Sequence, residues 1–158
     1  MKINHPLMYN NFAKSDMDAV RNLIKNKNLI LTQAKYVLEF EKKWSKWLGV
    51  KYSVFVNSGS SANLISMLIL KSLSLKKKEI IVPTLTWVSD INSVIMAGFK
   101  PVFVDIDPRT LSMNQDQVLN KINKNTLAVF VTHVQGFNSL SEKLLTKIKR
   151  KKIILVED

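Results

Sequence analysis

The chain has no cysteine among its 158 residues. That excludes a disulfide framework and a thiolate zinc site, and it fits a reducing, intracellular compartment. Long apolar runs are missing too: Leu68-Ile69-Leu70 and Ile80-Ile81-Val82 fall far short of the roughly 20 residues a membrane span needs. The first twelve residues have no apolar leader core and no cleavage-site pattern, so a cytoplasmic protein is expected. Acidic residues are scarce, 12 against 24 lysines and arginines, for a net charge of +12. Such a field attracts acidic partners. The basic residues, however, sit in short groups such as Lys76-Lys77-Lys78 and residues 147–152, with no aromatic interleaving of the kind that stacks bases. A solvated lysine-rich surface is therefore favoured over a nucleic-acid interface, and a phosphate-bearing small substrate would also suit the field. The chain also lacks the three spaced glycines of a dinucleotide fold and the Gly-Lys-Ser/Thr ending of a nucleotide P-loop.

What is present is an alternation of hydrophobic periods. A helix is expected over residues 16–25, with Ser15 or Asp16 as N-cap. A second is expected over residues 34–48, where Val37, Phe40, Trp44, Trp47 and Leu48 form one apolar stripe of packing anchors before Gly49 supplies a left-handed stop. From there the pattern reads strand 52–56, helix 60–73, strand 79–82, helix 87–97, strand 102–105, helix 115–122, strand 127–132, helix 140–149 and strand 153–156. Continuous apolar strands such as Ile153-Ile154-Leu155-Val156 imply burial on both faces. The expected fold is α/β, a mostly parallel sheet with helices on both sides.

Three pieces could do chemistry. Ser58-Gly59-Ser60-Ser61 lies at a strand-to-helix junction, where glycine permits a tight turn and the outward N–H groups form an anion cradle. The same serines could be ordinary helix caps. Trp87 follows a buried strand and can lie against a flat ring, or else serve as a core tryptophan. Asp158 ends a Glu-Asp pair that follows four apolar residues, at the carboxyl end of a strand where α/β proteins bind ligands. Taken together they describe a holder for an anionic tail, a flat ring and a ring nitrogen, the three demands of pyridoxal phosphate.

From Leu31 to Asp158 the sequence resembles the DegT/StrS-type (DegT/DnrJ/EryC1/StrS) sugar aminotransferases, fold-type-I pyridoxal-phosphate enzymes. The resemblance rests on Leu31-Thr32-Gln33, Glu39-Phe40-Glu41, Asn57-Ser58-Gly59-Ser60-Ser61-Ala62, Thr84-Leu85-Thr86-Trp87-Val88-Ser89, Pro101-Val102-Phe103-Val104-Asp105-Ile106-Asp107 and Val156-Glu157-Asp158. It implies that Gly59, Ser60 and Ser61 hold the cofactor phosphate, Trp87 stacks on its ring and Asp158 pairs with its nitrogen. His133 matches a histidine that the family places near the cofactor, although a hydrogen-bonded loop histidine is an equal reading. The sequence departs from the family pattern at Ala34-Lys35 and at His133-Val134-Gln135-Gly136-Phe137-Asn138. The resemblance also implies an N-terminal fragment: residues 1–33 as arm and helix, and 34–158 as an incomplete cofactor-binding large domain without its C-terminal part or the small domain. The Schiff-base lysine would lie downstream, so no catalytic residue is assigned here and the fragment alone is expected to be inactive.

Two branches of the family compete. The serine-rich junction looks like the sugar 3-dehydratases, which use the amine form of the cofactor. The Trp87 segment is similar to aminotransferases of nucleotide-linked keto sugars and is given more weight. The resemblance then implies a homodimer, a nucleotide-sugar substrate, glutamate as amino donor and a role in amino-sugar or cell-surface polysaccharide synthesis. The rival of another class is a non-enzymatic basic module that binds nucleic acid.

Overall fold

The structure is a computed structural model that describes residues 9–73 and 76–158. The first eight residues of the expected arm lie outside the described residues. Two compact units are present, divided between Phe55 and Val56.

The first unit holds α1 (Lys14–Ile24) and α2 (Lys35–Leu48). Helix α1 begins earlier than its sequence suggests, with Ala13 at the N-cap in place of Ser15 or Asp16. Alanine has no oxygen to offer, but Asp16, at the third helical position, reaches back and accepts the Ala13 N–H at 2.8 Å, which satisfies a donor at the helix start. Helix α2 ends at Gly49, where φ is 73°, a conformation that favours glycine. Its aromatic stripe exists as a line of ring contacts: Phe40 stacks on Trp44 at 5.8 Å, Trp44 meets Trp47 at 4.9 Å, and Phe40 meets Phe55 edge-on at 5.5 Å. These rings anchor on one another and stay largely in solvent, and the one buried residue of α2 is Ser45. Ser45 donates to Ser53 at 2.8 Å, and Glu41 accepts the Phe55 N–H. Those bonds tie α2 to residues 53–55.

The expected strand at 52–56 is a correction. The backbone there has no regular structure and no ladder partner among the described residues. Alternating apolar residues foretell extension, whereas pairing depends on a neighbour that local sequence does not reveal.

The second unit runs α3 (Gly59–Leu73), β1 (Glu79–Pro83), α4 (Val88–Met96), β2 (Lys100–Val104), α5 (Gln115–Lys121), β3 (Thr126–Val131), α6 (Glu142–Lys151) and β4 (Ile154–Glu157). The four strands are parallel, in the order β2-β1-β3-β4. Alternate residues serve opposite faces. Ile80, Val82, Ala128 and Phe130 pack with Met67 and Leu70 of α3 and Val94 of α4. Ile81, Val129 and Val131 pack with Val118 of α5 and with Leu144 and Ile148 of α6. Every residue of β3 is buried, as expected of a central strand covered on both faces. The α/β reading of the sequence thus holds for this unit, with element ends shifted by one or two residues. No helix among the described residues is long and apolar enough to cross a membrane.

The chain passes from β1 outward to β2, then returns to the other side for β3 and β4. The strand order therefore reverses between β1 and β3. In open parallel sheets the crevice beyond the carboxyl ends at such a reversal is where ligands bind.

Candidate functional site

Three segments meet at that crevice: residues 84–87 after β1, residues 132–136 after β3, and Asp158 after β4. Strand pairing continues past β4, because the Asp158 N–H donates to Val131 O at 2.9 Å and Asp158 O accepts the His133 N–H at 2.7 Å. These two bonds fix the backbone from which the Asp158 side chain projects. Beyond it lies a cavity of about 490 Å³ lined by Thr86, Trp87, Thr132, His133, Gln135 and Asp158 among others. That volume lies within the usual range for small-ligand sites.

Trp87 precedes the first turn of α4 and makes no side-chain capping bond. It is 74% exposed, so it is no core tryptophan and its ring face is open. His133 is held at both nitrogens. Nδ1 accepts the Ser139 N–H at 3.1 Å, and Nε2 lies 3.0 Å from Glu157 Oε2. An accepting Nδ1 leaves the ring proton on Nε2, which donates it to the Glu157 carboxylate. His133 is thus a hydrogen-bonded loop histidine that also lines the cavity.

The Asp158 carboxyl is partly buried, and Asp90 and Asn63 are among the groups that act on it. Partial withdrawal from water, and then the negative charge and hydrogen-bonding contact of Asp90, hold it above the usual carboxylate range of 3.8, against a smaller opposing effect of Asn63.

Asp90 was not singled out from sequence. It lies in the first turn of α4 and is fully buried. It accepts from Asn63 Nδ2 at 2.8 Å and from Thr132 Oγ1 at 2.9 Å, with further hydrogen bonds from Thr86 Oγ1 and, at 3.4 Å, from Ser89. Thr86 and Thr132 also contact each other at 2.6 Å. A signal was available in Asn63, an amide in the second turn of the helix that would need a partner if turned toward the core.

The serine-rich junction lies on the other side of α4's first turn. Ser58 acts as the cap of α3: its Oγ accepts the Ser61 N–H at 3.1 Å and contacts Ser61 Oγ. Ser60 and Ser61 line a second hollow, of about 320 Å³, with Val88, Ser89 and Asn92. The expectation that Gly59 is needed for a tight turn is corrected, since its φ is not in the left-handed region and it is the first residue of the helix. A Cβ built there would meet nothing within 4 Å, so the space beside it is open. Of the six residues singled out, Trp87, His133 and Asp158 share one cavity. Ser60 and Ser61 line the neighbouring hollow, with Gly59 at the same helix start. Among the described residues no group of three His, Cys, Asp or Glu could hold a metal ion.

Comparison with known proteins gives a consistent result. The sequence model described as the DegT/DnrJ/EryC1/StrS aminotransferase family matches residues 10–158. A GDP-4-keto-6-deoxy-D-mannose 3-dehydratase of Escherichia coli O55:H7 is 31% identical, over 99% of this chain and 41% of that protein. A GDP-perosamine synthase of Vibrio cholerae is 31% identical, over 82% of this chain and 35% of that protein. Among solved structures, the E. coli GDP-4-keto-6-deoxy-D-mannose-3-dehydratase with bound hydrated PLP matches with a TM-score of 0.88 at 29% identity, over all of this chain and 41% of that one. Helicobacter pylori PseC, an aminotransferase involved in the biosynthesis of pseudoaminic acid, gives 0.80 at 26% identity, over 93% of this chain and 39% of that one. The chain spans about two fifths of the length of the relatives it matches across nearly all of its own residues.

Proposed function

Because this chain belongs to the DegT/DnrJ/EryC1/StrS aminotransferase family, we propose that the gene product carrying it is a pyridoxal-phosphate enzyme that aminates a keto sugar linked to a nucleoside diphosphate. Glutamate is the amino donor in this reading, and the enzyme is a cytoplasmic homodimer of amino-sugar or polysaccharide synthesis.

The observation that carries the proposal is the cavity in which an acidic side chain, Asp158, stands with the open face of Trp87 and with His133. The residues fit the cofactor on two counts. An anionic tail finds unfilled space beside Gly59 at the start of α3, where backbone N–H groups and the helix dipole favour negative charge. A planar ring finds an exposed indole face, with a carboxyl nearby. When bound, the cofactor supplies an electron sink that stabilises negative charge on the carbon bearing the amine.

In this reading the chain's own residues divide the remaining work. Ser60 and Ser61 offer hydroxyls to the phosphate. Trp87 covers one ring face and excludes water from it. Asp158 meets the ring nitrogen with a carboxyl already biased toward keeping its proton. His133 positions Asp158 through the bond from its own N–H to Asp158 O, while its ring is held by Ser139 and Glu157. The surplus of positive charge, +12 over the sequence, raises the local concentration of a substrate that carries a diphosphate.

A second reading has a specific observation in its favour. The 3-dehydratase relative aligns over 99% of this chain, and the solved 3-dehydratase follows its fold at a TM-score of 0.88. One experiment separates the two. The gene product is incubated with pyridoxal phosphate, reduced with borohydride and analysed by peptide mass spectrometry. Cofactor fixed to a lysine supports the aminotransferase, cofactor bound but not fixed supports the dehydratase, and no binding refutes the cofactor reading.

A further inference from the structure

Most of the polar side chains that line the cavity are already committed. The Thr86 and Thr132 hydroxyls bond to Asp90 and contact each other. Both ring nitrogens of His133 are held, by Ser139 and Glu157. Asp158 belongs to the ring nitrogen in the reading above, and the Trp87 indole N–H can only donate. Gln135 differs: among the described residues its carboxamide makes no hydrogen bond, and the residue is exposed. Its backbone is unusual as well. Gln135 has φ 55° and ψ 21°, and Gly136 follows with φ 81°, while the Phe137 N–H closes the turn on Val134 O at 3.1 Å. Two consecutive left-handed residues are the pattern of a type I′ turn, whose central positions favour Gly, Asn and Asp. A glutamine there is held against its backbone preference, and residues held in this way gather at ligand-binding walls.

We infer that Gln135 is a specificity-determining residue whose carboxamide hydrogen-bonds the hydroxyls of the sugar ring. The inference rests on the nucleotide-sugar reading given above. In that reading the start of α3, Trp87 and Asp158 meet the cofactor's phosphate, ring face and ring nitrogen, so the uncommitted amide is left for the molecule that arrives next from solvent. A carboxamide offers a carbonyl oxygen and two N–H donors. A sugar hydroxyl both donates and accepts, so one amide can serve two neighbouring hydroxyls. It is also neutral and adds no charge beside Asp158. The closed turn fixes the backbone from which the side chain projects. A sugar with a missing or inverted hydroxyl would leave one end of the amide unpaired, and such a mismatch discriminates between polar ligands more strongly than shape alone.

The test measures binding by equilibrium dialysis on the gene product loaded with pyridoxal phosphate, with GDP-mannose, dTDP-glucose, GDP and dTDP as probes. Dividing the dissociation constant of a free nucleotide by that of the matching nucleotide sugar reports how strongly the sugar is held. Gln135→Gly removes the amide and places at this position a residue that adopts positive φ freely, so the fold is kept. In this variant the ratio is expected to fall about tenfold, the scale of one or two neutral hydrogen bonds, while affinities for the free nucleotide and for pyridoxal phosphate stay unchanged. An unchanged ratio overturns the inference. A loss shared equally by nucleotide and nucleotide sugar would assign Gln135 to the shape of the pocket, and a weaker hold on pyridoxal phosphate would assign it to the cofactor; either result overturns the inference as well. A wild type that binds none of the probes refutes the nucleotide-sugar reading itself, and this inference with it.

Discussion

Replacing Trp87 by alanine should separate folding from binding. Trp87 is 74% exposed, so about a quarter of its surface is shielded by the fold. Fully burying a large apolar side chain is worth about 1.5–3 kcal/mol, so the shielded part contributes under about 1 kcal/mol. Trp87 occupies the N-cap of α4 but makes no side-chain capping bond, so no cap is lost either. A ring laid on the open indole face would cover roughly 80 Å² of it, worth about 2 kcal/mol at ~25 cal/mol per Å², and offset stacking adds about 0.5–1.5 kcal/mol. The expected outcome is a small change in the urea midpoint of the cofactor-free protein. Affinity for pyridoxal phosphate, measured by equilibrium dialysis, should fall by about two orders of magnitude. A folding loss of about 3 kcal/mol or more, the scale of a core Trp→Ala change, would identify Trp87 as a packing residue. Unchanged affinity would remove it from the site.

Three further outcomes are expected. The Asp158 carboxyl is raised by burial and by Asp90. A raised acid stabilises the fold while protonated, so its contribution is complete below 3.8 and is lost as pH rises through the raised value; in cofactor-free protein, Asp158→Asn should flatten this loss, and identical stability-versus-pH curves would contradict the assignment. Phe130→Ala, at a side chain 1% exposed in the central strand, should cost about 3–5 kcal/mol in denaturant unfolding, and a loss under about 1 kcal/mol would mean that the core is not built as described. Gly59→Ala meets no neighbouring atom and should leave thermal stability unchanged or raised by up to about 1 kcal/mol, so a weaker hold on pyridoxal phosphate in that variant would report crowding of the phosphate alone.

Much of the second unit was legible because its signals are local. The apolar runs that become β1 and β3 are continuous, and the glycine after α2 does sit at positive φ. Trp87 and Asp158 could be chosen because each follows a strand and the ends of parallel strands converge, whereas His133 came from the family resemblance. What stayed hidden depends on tertiary neighbours. Asp90 looks like any acid in a first helical turn, where the dipole welcomes it; only the packing of α3, α4 and the two threonine loops turns it into a buried carboxyl. Residues 52–56 have the composition of a strand, but a ladder needs a second strand that no nearby residue announces. The junction glycine was assigned to backbone geometry, whereas what it contributes is open space.

The placement of the three tryptophans, Trp44, Trp47 and Trp87, has an optical consequence. Two of them lie against each other in α2 with tilted rings, while the third lines the cavity. Substituting phenylalanine at 44 and 47 would leave a single indole in these 158 residues, beside the place where the cofactor is proposed to bind. Fluorescence from that indole would then be quenched by a chromophore entering the cavity, which would give a direct, label-free record of occupancy in real time.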